Sequence, residues 1–463
     1  MRNAPDAKRR ERNRTMKHPR IDPRTLRRSA ARTWAAGVLA GCLCAAGPAE
    51  AMTFDARQLA MGSAQTPGGR DLAGLNVAYA SMPQRPDAHG FVVPVPLGLV
   101  DLALHFPTVD PDDPDFSALK LVNLSLNPPF FLELLEPEPL DGDISIYVAR
   151  NEFSIEFEEA ARLLPQKPFE IAAVSSPPVA SLDLRGVRAY VGPLLYTRGE
   201  VALDDALHGV LTRGEALLPN SEYVTWAGGE AAGGLAFNVG YSRPIRVDER
   251  GNGLYAGAMM KYLLGLAMGS ADSRFALATG DTIFGGSTPL QLDFTSLTRY
   301  SNSVGNGVGF DFGVGYRRDA IDVGLGLRDV GTQIRWSRTT VEASYLDDAT
   351  NDTVVETVSG VGYTQKIPMQ ATLNVGWTRD ALALVADVTS TKFATLLHLG
   401  AERRLGMLAL RAGFLTDEET RLQYAWGAGL GLSRMWIDVG FQTHNRTFTG
   451  ERGLLLGTSI AIR

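Results

Sequence analysis

The sequence predicts an all-β protein: a transmembrane antiparallel β-barrel of about fourteen strands with a partly helical insertion. Three observations lead there. The chain opens on a secretory leader. No later stretch holds the roughly 18 consecutive apolar residues that a membrane-spanning helix needs. From residue 232 to the C-terminus, short segments repeat an alternation of two residue classes, one apolar and the other glycine or charge.

The leader occupies residues 1–51. A basic stretch precedes TWAAGVLAGCLCAAG (33–47) and an A-x-A site at Ala49-Glu50-Ala51, which is the charged, apolar and cleavage order of a secretory signal. Cleavage is expected after Ala51. Leu39-Ala40-Gly41-Cys42 resembles a lipobox, so acylation at Cys42 is the lesser alternative, opposed by the apolar residues that continue to the A-x-A site. The remaining chain holds 33 basic and 47 acidic residues, a formal charge of −14. That balance argues against nucleic acid as a partner. Cys42 and Cys44 both lie in the leader, so the mature chain has no disulfide, thiol nucleophile or cysteine metal site.

A secreted chain without spanning helices can still enter a membrane as a closed barrel, because closure pairs every backbone group. Its strands need about 9 to 11 residues, apolar outward and polar inward. GVGFDFGVGY (307–316) fits: Val308, Phe310, Phe312, Val314 and Tyr316 form one file, and glycines with Asp311 the other. After the turn at 317–320, Ile321, Val323, Leu325 and Leu327 oppose Asp322, Gly324, Gly326 and Arg328. The same reading holds for 372–377, 382–388, 408–414, 424–432, 435–441 and 456–462. Earlier strands are read at 88–105, 181–194, 232–242, 253–267 and 333–345. A soluble sandwich shares the period of two, but it would expose Lys, Thr, Glu and Ser where this chain places glycine. Tyr241, Tyr262, Tyr316, Trp377 and Trp426 suit the aromatic girdles of a barrel.

Residues 107–230 interrupt the pattern as an insertion. PTVDPDDPDF (107–116) is a proline and acid rich turn, and the Pro-Pro at 128–129 forbids a single helix over 117–137. VALDDALHGVLTRGEALL (201–218) has the spacing of an amphipathic helix.

FDARQLAMGSAQTPGGRDLAGLNVAYASMP (54–83) resembles the N-terminal opening of outer-membrane proteins of the FadL superfamily, including its PorV-like and TraF-like members. GLGLRDVGTQIRW (324–336) and LLHLGAERRLGMLALRAGF (396–414) resemble later hairpins of that group. The resemblance implies a fourteen-stranded barrel (87–463) in the cell outer membrane, with the N-terminal segment (52–86) folded into the lumen as a hatch. It also implies passive transport of hydrophobic or amphipathic molecules, long-chain fatty-acid-like, or else a non-transport role in a secretion or conjugation apparatus. Partners implied are outer-membrane lipid and lipopolysaccharide, the barrel assembly machinery, a hydrophobic small molecule and, for the second role, secretion or conjugation proteins. No cofactor is implied. Two departures stand out: Val77-Ala78-Tyr79-Ala80 replaces an asparagine-proline-alanine motif, and Arg463 replaces a terminal aromatic residue.

Candidate chemistry is sparse. His89, His105, His208, His398 and His444 do not sit at metal-ligand spacing, and no nucleophile elbow or phosphate loop is present, so a non-enzyme is expected. The inward file carries Asp311, Asp322, Arg328, Asp387, His398, Glu402, Arg411 and Asp438. Charge in a membrane protein marks the lumen. These groups either pair across strands or hold the hatch, with Arg411 and Asp387 placed mid-strand where a hatch lies. Leu59, Met61, Phe130 and Phe131, apolar and outside the alternation, are candidates to line a hydrophobic access site.

Overall fold

A computed structural model describes residues 55–65, 76–83, 85, 91–95, 97, 131–135, 144–149, 152–157, 169–175, 180–184, 186–213, 215–281, 291–301, 303–346, 353–392, 395–416, 422–432, 435–445 and 452–462. The leader, Phe130, and most of 107–137 lie outside the described residues.

In chain order the strands are β1 (Phe91–Val95), β2 (Phe131–Leu135), β3 (Ile144–Ala149), β4 (Glu152–Phe157), β5 (Phe169–Ser175), β6 (Ala180–Leu184) and β7 (Val187–Leu203). Then follow β8 (Glu222–Val247), β9 (Gly253–Ala278), β10 (Gln291–Ser301), β11 (Gly305–Arg318), β12 (Ile321–Leu346), β13 (Thr353–Lys366) and β14 (Gln370–Arg379). The series ends with β15 (Leu382–Ser390), β16 (Thr395–Leu405), β17 (Leu408–Thr416), β18 (Leu422–Leu432), β19 (Met435–Asn445) and β20 (Arg452–Ile462). All but the β3–β4 hairpin join one 18-stranded antiparallel sheet.

Register reduces these segments to staves. β1 pairs with the end of β20, and β2 continues along the same edge. β5 and β6 likewise share β7, β10 and β11 share β9, and β13 and β14 share β12. Merging each collinear pair leaves fourteen staves, the expected number. The Phe91↔Ile462 pairing joins the first stave to the last, as closure of a sheet requires. For the seam between β1/β2 and β5/β6, the described residues give no pairing.

The two faces follow the predicted alternation. In β11 each outward residue is exposed and each inward one buried, so Val308 to Tyr316 present an apolar band while Gly307, Gly309, Asp311, Gly313 and Gly315 face the lumen. Leu373, Val375, Leu384, Val388, Leu410, Trp426 and Ile437 continue that band around the wall. A soluble protein could not leave such a surface in water without association. Facing lipid, it needs no cover.

One rim carries tight turns, at 319–320, 380–381 and 406–407, and the other longer connections. The wall is also uneven. β8, β9 and β12 run 26 residues each, about 85 Å of extended chain against a hydrocarbon core about 30 Å thick. Beyond the apolar band these tall staves carry polar ladders, with Arg274 between Glu222 and Asp293, Ser273 on Ser296 at 2.9 Å, and Tyr300 on Glu342 at 2.9 Å.

The sequence reading placed a helix over 201–218. β7 instead runs through Leu203, and the helix is confined to Asp205–Arg213, because the Asp204 side chain accepts from Leu207 N at 2.6 Å and caps it there. Much of what was read as insertion, from Phe169 onward, is wall. The segment 181–194 is divided between β6 and β7, with Gly186 at φ +87° just before β7.

Candidate functional site: a segment docked in the lumen

Residues 55–65, 76–83 and 85 lie inside the barrel and touch its inward file. The first half opens on a short helix, α1 (Ala56–Leu59), capped by Asp55, which accepts from Arg57 N at 2.9 Å. Ala56 N donates to Ser459 Oγ on β20 at 3.1 Å. Arg57 reaches β16, where its guanidinium holds Glu402 through two bonds of 2.8 and 3.1 Å. Glu402 also accepts from Arg404 at 2.8 Å and from Arg411 at 2.7 Å, and Arg411 lies 2.7 Å from Asp438. Three guanidiniums thus face Glu402, Asp438 and Asp55, an even balance of charge in a buried site. Balance is needed there, since an uncompensated charge out of water costs several kcal/mol. At the end of this half, Gln65 N donates to Asp387 Oδ2 at 2.9 Å, and the other oxygen of Asp387 pairs with His398 Nδ1.

The second half is a 3-10 turn, Val77–Ala80, capped by Asn76. Asn76 Nδ2 donates to Val314 O at 3.0 Å, and the Tyr79 hydroxyl donates to Asn374 Oδ1. Burial pushes the Tyr79 phenol well above its ordinary value, so it remains a donor. Farther on, Arg85 and Arg317 both hold Asp322, at 2.8 and 2.6 Å, and Arg317 also donates to Pro83 O.

Glycine supplies the room. A Cβ on Gly413 or Gly400 would press into Met61, one on Gly427 into Ala60, and one on Gly440 into Ala56. A Cβ on Gly257 or Gly313 would meet Val77 and Ala78, and one on Gly315 would meet Met82. The glycine file therefore forms two cradles on opposite walls, one per half of the segment.

The predicted site residues do not form a single cluster. Asp387, His398, Glu402, Arg411 and Asp438 converge around the first half and Asp322 around the second. Asp311 joins a separate buried trio, with Lys261 Nζ 2.8 Å from it and 2.9 Å from Asp329. Arg328 donates to Gln370 at 3.4 Å. Leu59 and Met61 are buried, 3% and 1% exposed, and Met61 packs with Ala64 and Val385 on the wall. Phe131 begins β2, in the wall itself.

No protein-family model matches the chain, and no curated protein matches it. Solved structures do. A Pseudomonas aeruginosa FadL homologue is 13% identical, with a TM-score of 0.33, covering 66% of this chain and 92% of its own. The CymD monoaromatic hydrocarbon channel is 11% identical, with a TM-score of 0.32, covering 68% and 94%. Outer membrane phospholipase A from Escherichia coli is 10% identical, with a TM-score of 0.22, covering 50% and 81%. The chain is similar to FadL-like barrels at this level, and the lumen contacts above stand independently of it.

Sequence reasoning missed Arg57, Asn76, Tyr79, Arg85, Lys261 and Arg317. Arg57 and Arg85 lie outside the alternation, where no period marks them. Tyr79 sits in the place where the sequence departs from the resembled motif, and it makes the turn's contact with β14. Lys261 did carry a signal, as the single lysine of an apolar strand.

Proposed function

We propose that the chain is an outer-membrane barrel that passes hydrophobic or amphipathic small molecules, long-chain fatty-acid-like, with its own N-terminal segment as the hatch. It is not an enzyme on this reading. The leader is cleaved after Ala51, and the tight-turn rim faces the periplasm, as in other bacterial barrels. The observation that carries the reading is the docked segment itself. Hydrogen bonds, ion pairs and glycine cradles fix it in the lumen, where it bars an open aqueous channel and leaves passage to solutes for which it shifts. Leu59, Met61, Phe130 and Phe131 are assigned to the hydrophobic access site. Outer-membrane lipid, lipopolysaccharide and the barrel assembly machinery are its remaining partners.

The second reading is a non-transport component of a secretion or conjugation apparatus. It is favoured by the tall staves β8 to β13, which rise past the rim and offer surface to a protein partner.

Liposomes containing the purified barrel test the choice. Uptake of a labelled long-chain fatty acid by the full chain, altered in a chain lacking residues 54–69, is the expected result. A correctly inserted barrel that takes up none would overturn transport and favour the apparatus.

A further inference from the structure

Above the docked segment, toward the long-connection rim, the tall wall crosses to meet itself. Glu230 on β8 accepts from Tyr196 on β7 at 2.9 Å, and also from Tyr363 at 3.2 Å and Gln365 at 3.4 Å, both on β13. In the sheet β8 and β13 are separated by β9, by the β10/β11 stave and by β12. These bonds therefore span the interior rather than follow the wall.

Directly beneath them lies an apolar layer built from Leu194, Tyr196, Leu263, Ile334, Trp336 and Ile367, each at most 4% exposed. Trp336 lies over Gly265 and Gly305, and a Cβ on either would collide with its indole. Two adjacent strands thus surrender their side chains to one ring. None of the described residues of the docked segment belongs to this layer, whose contacts form a cluster separate from those of Met61, Val77 and Tyr79.

The closed arrangement is imperfect. Trp336 Nε1 and Gln365 Oε1 are buried and find no hydrogen-bond partner among the described residues. An unmet buried polar group costs about 1–3 kcal/mol.

We infer that this crossing is a second constriction in series with the hatch, and that Trp336 is the residue determining which solutes pass. The apolar layer beneath the hydrogen-bonded crossing excludes water, and with it ions and polar solutes. Solutes that wet apolar surface can part it. The inference deepens the transport reading by naming the filter, and its test needs no transported ligand.

Planar-bilayer recordings in potassium chloride supply that test. The full chain, a chain lacking residues 54–83, and that deletion combined with Trp336→Ala or with Glu230→Ala are compared, and heat-modifiable gel mobility checks that each is folded. The deletion alone is expected to pass no steady current, and either substitution added to it to raise current at least tenfold. Two results overturn the inference: steady current from the deletion alone equal to that of the combined variants, or silence from both combined variants when folded. Because ions report the constriction and liposome uptake reports transport, the two readings can fail separately.

Discussion

Arg57 and Glu402 meet through two hydrogen bonds, at 2.8 and 3.1 Å, although 345 positions separate them in the chain. Their side chains are only 8% and 1% exposed. This pair ties the N-terminal segment to β16, and Glu402 shares its oxygens with two further arginines of the wall.

Removing one partner should therefore release the segment while leaving the wall intact. Arg57→Ala is expected to weaken docking by about 1.5–3 kcal/mol, the worth of hydrogen bonds to a charged group, because Glu402 keeps Arg404 and Arg411. Limited proteolysis would then cut within residues 55–65, most of which are buried in the native chain. Glu402→Gln should weaken docking as well and also loosen Arg411.

The cradles predict a sharp contrast between a glycine that backs the segment and one that does not. Gly413→Ala drives a methyl group into Met61, whereas a Cβ at Gly269 meets nothing within 4 Å. Proteolytic exposure of the segment should follow Gly413→Ala and not Gly269→Ala. Equal behaviour of the two variants would mean that glycine serves the strand rather than its occupant.

Tyr79→Phe deletes one buried hydrogen bond and strands Asn374 Oδ1, at an expected cost of about 1–3 kcal/mol. The pH dependence has a definite sign. Burial raises the Tyr79 phenol, so its stabilising contribution is complete below the ordinary tyrosine value of about 10 and is lost as pH rises through the elevated one. Docking measured by proteolysis should show no Tyr79-linked change between about pH 6 and 9 and should weaken only in stronger alkali.

On the outside, Phe312→Arg is expected to cost about 2–4 kcal/mol if that residue lies near the bilayer midplane. Urea titration of folding into vesicles measures it. The same change at Thr357, exposed on the tall part of β13, should cost little.

Much of this architecture was legible because alternation is a local signal. Val308 to Tyr316 could be assigned a lipid face from the sequence, since neighbouring positions point to opposite sides. The height of the wall was not. β9 was read as 253–267 but extends to Ala278, because a bulge beside Gly265 breaks the alternation and the polar residues Ser270, Asp272, Ser273 and Arg274 follow it. Charged lumen residues could be named but their partners could not. Arg57 finds Glu402 through the closed fold, and a glycine announces space without saying what fills it.

The Ala56–Ser459 bond and the Phe91↔Ile462 pairing both depend on β20, the last strand of the chain. Closing the sheet and seating its occupant are therefore coupled through one strand. Without β20 the first stave loses this neighbour and the N-terminal segment loses its contacts with Ser459, so a variant lacking residues 452–462 is expected to be an open sheet with an unseated tether.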